Sequence, residues 1–163
     1  MLKVIQALDI LKQKDLISDY AIGGAFGLTI HAEPVLSYDV DALVTFSSSS
    51  TIVDMSEIYN ELKILGARED KEHIIVGGIP LHILPASSSL AREALKNAEL
   101  LSYRGAAIKV FTLEYLIAIM VSLSRPKDKE RIALVKDSQK INHNALDDIL
   151  KRHNLFLRWN SFQ

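Results

Sequence analysis

Strand and helix signals alternate through the first 111 residues, and beyond Thr112 only helical signals remain. No other feature restricts the fold as much, because a mixed stretch followed by helices alone calls for a small α/β core carrying a helical appendage. Leu2, Ile5, Leu8 and Leu11 recur at helical spacing. Tyr20-Ala21-Ile22 reads as a strand running into a tight turn at Gly23-Gly24. Residues 25–33 read as a helix that Pro34 ends, since the residue before a proline is pushed out of the α region. Residues 39–46 alternate like a strand with one buried face, and residues 47–51 make a serine-rich loop. Residues 56–65 are amphipathic and stop at Gly66.

Residues 73–76 and 79–84 flank Gly77-Gly78 as a β-hairpin, and Pro85 closes its second strand. The serines at 87–89 cap a helix expected to reach about Leu101. Residues 107–111 read as one more strand, and helices are expected over 113–124, 127–137 and 145–153. The expected fold class is α/β (α+β), a short mixed sheet flanked by helices over residues 1–111, with a C-terminal helical subdomain over 112–163 packed on it. The stripe Leu116, Ile119, Met120 and Leu123 is expected in the core, with Phe156 and Trp159 pinning the last helix.

Composition narrows the function classes. A chain of 163 residues fits one domain and buries roughly 70% of its unfolded surface, enough for a core without staples. Cysteine is absent, which removes disulfide frameworks, thiolate zinc sites and cysteine nucleophiles together. The longest strongly apolar stretch, residues 115–123, is too short to cross a bilayer, and charges interrupt the first 16 residues. The expectation is a soluble cytoplasmic protein with no membrane partner. Net charge is only −1, but residues 1–103 hold 8 Lys/Arg against 14 Asp/Glu, and residues 104–163 hold 11 against 6. Either acidic and basic groups serve different jobs, or two opposite faces simply attract.

Among chemistry-bearing patterns, the sequence has no phosphate-binding G-x-x-x-x-G-K-[ST], no G-x-S-x-G elbow and no H-E-x-x-H. A dinucleotide fingerprint at Gly23 fails, because Ala25 and Leu28 stand where its later glycines belong. Asp39-x-Asp41 is sharper. Residues two apart on a strand face the same way, roughly 6.5 Å apart, so both carboxylates reach one cation; otherwise they form an ordinary solvated pair. Gly23-Gly24 upstream lets a phosphate approach the backbone at a helix N-terminus, where free N–H groups and the dipole favour anions. A phosphate cradle followed by a carboxylate pair suits metal-assisted nucleotidyl transfer.

Gly23-Gly24-Ala25 through Ser37-Tyr38-Asp39-Val40-Asp41 resembles the G-G/S … D-x-D signature of the minimal nucleotidyltransferases related to DNA polymerase β. The resemblance is nearest to AbiEii/AbiGii-type toxin nucleotidyltransferases and their uncharacterised relatives. It continues in Leu116-Ile117-Ala118 and Arg125-Pro126-Lys127-Asp128, and in the 145–155 stretch, spanning residues 20–159. It implies the minimal nucleotidyltransferase fold, with Asp39 and Asp41 binding Mg²⁺ or Mn²⁺. It also implies that Gly23, Gly24, Ser37, Arg125 and Lys127 hold an NTP, and that the acceptor is tRNA or another RNA, a protein or a small molecule. A cognate antitoxin is a further implied partner.

The chain also departs from that pattern. The resembled family carries a third carboxylate on the strand after the hairpin, and His82 stands there. His82 is a third catalytic candidate, as a ligand suited to Mn²⁺ or Zn²⁺ better than to hard Mg²⁺, as a general base, or as a strand residue bonded to its neighbours. Val35 replaces an arginine, Met120 a lysine and Arg131 an acidic residue. Arg125 and Lys127 remain, and Lys127 and Arg131 share a helix face; these cations either hold triphosphate or an RNA backbone, or form a solvated charged face paired internally through Asp128 and Arg131. Aromatic residues are 7% and are not interleaved with basic clusters, which argues against a single-strand stacking platform. The leading expectation is a metal-dependent nucleotidyltransferase; the alternative is a catalytically degenerate module of the same fold that binds nucleotide, RNA or a protein.

Overall fold

The computed structural model describes residues 1–32, 37–47, 55–70 and 73–162. In chain order the elements are α1 (Leu2–Gln13), β1 (Ile17–Ile22), α2 (Gly24–His31), β2 (Val40–Phe46), α3 (Met55–Ile64), β3 (Arg68–Asp70), β4 (His73–Val76) and β5 (Ile79–Pro85). They continue with α4 (Ser89–Lys96), β6 (Glu99–Tyr103), β7 (Ala106–Val110), α5 (Leu113–Leu123), α6 (Pro126–Val135), α7 (His143–Arg152) and α8 (Phe156–Trp159), ending in a 3₁₀ turn, Asn160–Phe162. Among the described residues seven strands form one sheet in the order β3-β4-β5-β2-β1-β7-β6. At its centre β2 pairs antiparallel with β1 and parallel with β5.

Period-2 alternation sorts the strand side chains between two apolar clusters. Val40, Ala42, Val44, Leu81 and Ile83 join Leu8 and Leu11 of α1 and Ile58 and Leu62 of α3. Burying each leucine of this cluster contributes about 1.5–3 kcal/mol. On the opposite face Ala21, Leu28 and Phe111 share a second cluster with Leu90 and Ala94 of α4, Ile117 and Val121 of α5, Ile132 of α6, Leu146 and Leu150 of α7, and Trp159.

The helix starting near Ser87 ends sooner than the sequence suggests. Ser88 caps it, its side chain accepting from the Ala91 N–H, but it stops at Lys96 and residues 99–103 are strand. Asn97 turns back, donating from its side chain to the Glu93 carbonyl and to Tyr115 Oη, and so releases the chain into β6. Arg104 and Gly105, both with positive φ, then make the tight turn that pairs β6 with β7. β3 also escaped detection: all three of its residues are exposed, so it carries no apolar alternation. The expected helix end at Pro34 and loop over 48–51 lie outside the described residues. The Leu116 stripe is only partly core. Leu116 and Met120 are buried and Leu123 is 51% exposed, and the stripe lines a cleft. Among the described residues no helix is long and apolar enough to cross a membrane.

Candidate active site

The cleft opens where the sheet face that carries α4 and α5 meets the start of α6. Because Val40, Ala42 and Ile83 turn toward α1 and α3, the residues between them, Asp41 and His82, turn the other way. The parallel register of β2 and β5 sets Asp41 beside His82. His82 Nδ1 lies 3.1 Å from Asp41 Oδ1 and 3.6 Å from Asp39 Oδ2. Asp39 stands just before β2, where the Ser37 hydroxyl donates to its backbone carbonyl at 2.9 Å and to its Oδ1 at 3.0 Å. One ligand atom from each of Asp39, Asp41 and His82 fits within a 4.8 Å cluster.

The two glycines do different work. Gly23 donates its N–H to the Asp41 carbonyl at 2.8 Å and caps α2, locking that helix onto β2. Gly24 has φ +58°, and a Cβ built on it would sit 2.2 Å from Asp41 Oδ2. The carboxylate therefore occupies the space that any side chain at 24 would fill. The first-turn N–H groups of α2, without intrahelical partners, lie beside it.

Helix α6 brings the cations. Arg125, Lys127 and Arg131 line the same cleft, of about 550 Å³, as Gly24, Asp39, Asp41 and His82. Arg125 is held as a fork: its Nε and Nη2 donate to the two oxygens of the fully buried Asp128 at 2.7 and 3.0 Å, and its backbone N–H adds a third bond. That bonding raises the Arg125 pKa, with a further contribution from Asp41. The R-P-K-D stretch is thus also the structural start of α6, with proline in the first turn and Asp128 closing it.

Six of the sequence-predicted residues, Gly24, Asp39, Asp41, His82, Arg125 and Lys127, line one cleft. Gly23 and Ser37 stand behind it, each hydrogen-bonded to one of the aspartate residues. Sequence reasoning missed His73, whose Nδ1 is 2.7 Å from His82 Nε2. The hairpin held the signal: a two-residue turn pairs Val76 with Ile79 and Ile74 with Leu81, and one step further sets His73 opposite His82.

Two carboxylates and an imidazole within ligating reach, with a glycine leaving one carboxylate room, are a donor set that fits a divalent ion. No family model matches the sequence, and no curated protein matches it. Solved structures do. A candidate nucleotidyltransferase from Thermotoga maritima superposes with a TM-score of 0.50 at 17% identity, covering 81% of this chain and 89% of its own. An antigenic nucleotidyltransferase-like protein from Paracoccidioides brasiliensis gives 0.50 at 18% identity, covering 96% and 91%. The chain has the nucleotidyltransferase fold.

Proposed function

We propose that the protein is a metal-dependent nucleotidyltransferase that moves a nucleoside monophosphate from an NTP to an acceptor hydroxyl. One observation carries this reading: Asp39, Asp41 and His82 converge beside the glycine-opened N-terminus of α2 in a cleft that Arg125, Lys127 and Arg131 also line. Asp39 and Asp41 hold Mg²⁺ or Mn²⁺, and His82 completes the set. The bound ion supplies charge neutralisation to the triphosphate. The amides of α2 and the guanidinium and ammonium groups of α6 take the remaining phosphate charge. The acceptor oxygen forms its bond to the α-phosphorus as the bond to the β-phosphate bridging oxygen breaks; the hydroxyl proton goes to solvent and pyrophosphate leaves. Residues 1–111 supply the carboxylates and residues 112–163 the cations. The acceptor is an RNA such as tRNA, a protein or a small molecule, in the cytoplasm, where NTPs are abundant. A toxin role of the AbiEii type, with an antitoxin partner, rests on the motif order in the sequence.

Calorimetry with each NTP, with and without Mg²⁺ or Mn²⁺, tests this together with pyrophosphate release using bulk RNA and the protein itself as acceptors. Replacing Asp39 and Asp41 together by Asn is expected to abolish metal-dependent NTP binding and to slow transfer by about 10²–10³-fold or more. Melting temperature should hold or rise, because two like charges gathered for a cation repel without it. A marked fall in melting temperature with unchanged NTP binding would make the pair structural. A second reading, a non-catalytic binding module, is favoured by His82 in the third-carboxylate position and by the fixed Arg125–Asp128 fork. It predicts NTP binding without turnover under every metal and acceptor.

A further inference from the structure

Each ring nitrogen of His82 already has a partner. Nδ1 faces Asp41 at 3.1 Å and Asp39 at 3.6 Å, while Nε2 faces His73 Nδ1 at 2.7 Å. The two rings lie with centroids 4.7 Å apart and planes at 42°. A neutral imidazole has one donor and one acceptor nitrogen, so the bond between the two histidines can run in either direction. Its direction decides what His82 offers to the aspartates. When His73 donates, His82 Nε2 accepts and its Nδ1–H points at Asp41, closing a hydrogen-bonded chain that leaves His82 no nitrogen lone pair for a cation. When His82 Nε2–H donates, the Nδ1 lone pair faces both carboxylates.

We propose that His73 is a positioning residue that accepts from His82 Nε2–H and so presents His82 Nδ1 as a nitrogen donor between Asp39 and Asp41, making the cluster a site for a nitrogen-tolerant first-row divalent ion. Imidazole suits Mn²⁺, Co²⁺ or Zn²⁺, whereas Mg²⁺ asks for oxygen. The exchange between the two arrangements balances. The Nδ1 proton of His82 passes to solvent, its Nε2 takes the proton from His73 Nδ1, and His73 Nε2 gains one from solvent. Each ring carries one proton at both ends of the exchange. Such outer partners fix ligand tautomer and commonly change metal affinity by about 10–100-fold.

The proposal rests on the metal-site reading above, and its test separates the two. Mn²⁺, Zn²⁺ and Mg²⁺ are titrated calorimetrically, without nucleotide, into the full chain and into His73→Phe, His73→Asn and Asp39→Asn/Asp41→Asn. Imidazole ¹⁵N shifts of His82 are read with and without Zn²⁺. Phe keeps a ring against His82 but offers no nitrogen, while Asn places an amide oxygen near the lost Nδ1. The expected result is a fall of about tenfold or more in Mn²⁺ and Zn²⁺ affinity for His73→Phe. Recovery to within about threefold is expected in His73→Asn, with Mg²⁺ binding little changed. In the Zn²⁺-loaded parent, ¹⁵N shifts should show His82 ligated at Nδ1 and protonated at Nε2. If the parent binds none of the three ions, the metal-site reading falls and the proposal falls with it. If the aspartate variant loses binding while His73→Phe matches the parent, or if His82 is ligated at Nε2, only the role of His73 is overturned.

Discussion

Two clusters in this molecule are built from histidine and carboxylate, and they are opposites. On the outer helices, Glu93 of α4 accepts from Arg152 at 2.5 Å, His153 Nε2 at 2.6 Å and Tyr115 Oη at 2.8 Å. Burial alone would raise the Glu93 pKa, but the three donors pull it down to about 2. Tyr115, partly buried and bonded to that carboxylate, is pushed up to about 12. One negative group meets a permanent cation and two further donors, so the cluster is closed and serves to clamp α4, α5 and α7. In the cleft, among the described residues, the ratio is reversed: two carboxylates gather around one histidine, with a serine hydroxyl as a further donor. Histidine and carboxylate therefore make a closed brace or an open anionic cluster, according to whether fixed donors or carboxylates are in surplus.

Three substitutions break that contrast, in decreasing order of expected effect. Gly24→Ala strikes only the open cluster, by forcing a Cβ onto Asp41 Oδ2 and a side chain into positive φ. It should destabilise the fold by about 3 kcal/mol and reduce metal-dependent NTP affinity at least tenfold. Thermal melts and calorimetry read both; a variant indistinguishable from the parent would show that the glycine is incidental.

Glu93→Gln strikes only the closed cluster. It should cost roughly 1.5–3 kcal/mol at neutral pH, because hydrogen bonds to a charged group are lost, and leave metal affinity in the cleft unchanged. The pH dependence follows from the sign of the shift. Glu93 is held below its ordinary 4.5, so its stabilisation is complete above that value and disappears as pH falls from 4.5 toward 2. Denaturant midpoints of parent and variant should therefore converge over that acidic window; a gap that stays constant would mean that packing, not charge, holds the clamp.

His82→Asp pushes the open cluster further from balance. Adding a third carboxylate should raise Mg²⁺-supported NTP binding severalfold and shift the preference toward Mg²⁺, which gains a hard oxygen where Mn²⁺ and Zn²⁺ already accept the imidazole nitrogen. A drop in a measurable transfer rate with metal binding intact would instead identify His82 as a base.

The open cluster was more legible in sequence than the closed one, for a physical reason. Asp41, Gly24 and His82 lie on, and Asp39 directly before, elements whose period-2 alternation and glycine turns announce themselves locally, and the Leu113–Leu123 helix likewise reads from apolar spacing alone. Glu93, Tyr115 and Arg152 come together across long separations, and nothing in the neighbourhood of any one of them signals the others. β3 and β6 escaped for related reasons. β3 is wholly exposed, and β6 exposes three of its five residues and depends on the Asn97 cap and the Arg104-Gly105 turn. Arg125 was found, and internal pairing through Asp128 stood as one alternative, but the burial of Asp128 in that pair was not legible, since a charged side chain at 0% exposure runs against the expectation for a polar helix start.

The Gly77-Gly78 turn has a consequence for how this protein tolerates change. It separates His73 from His82 by a fixed count of residues, and strand parity makes that count binary. Substitutions along the hairpin alter affinities by degrees. A single inserted or deleted residue that shifts the strand register would turn His82 away from Asp41 and exchange it for an apolar neighbour, Leu81 or Ile83. The hairpin is thus permissive in composition and strict in length, so that indels, more than point changes, mark the boundary between a working cleft and an empty one.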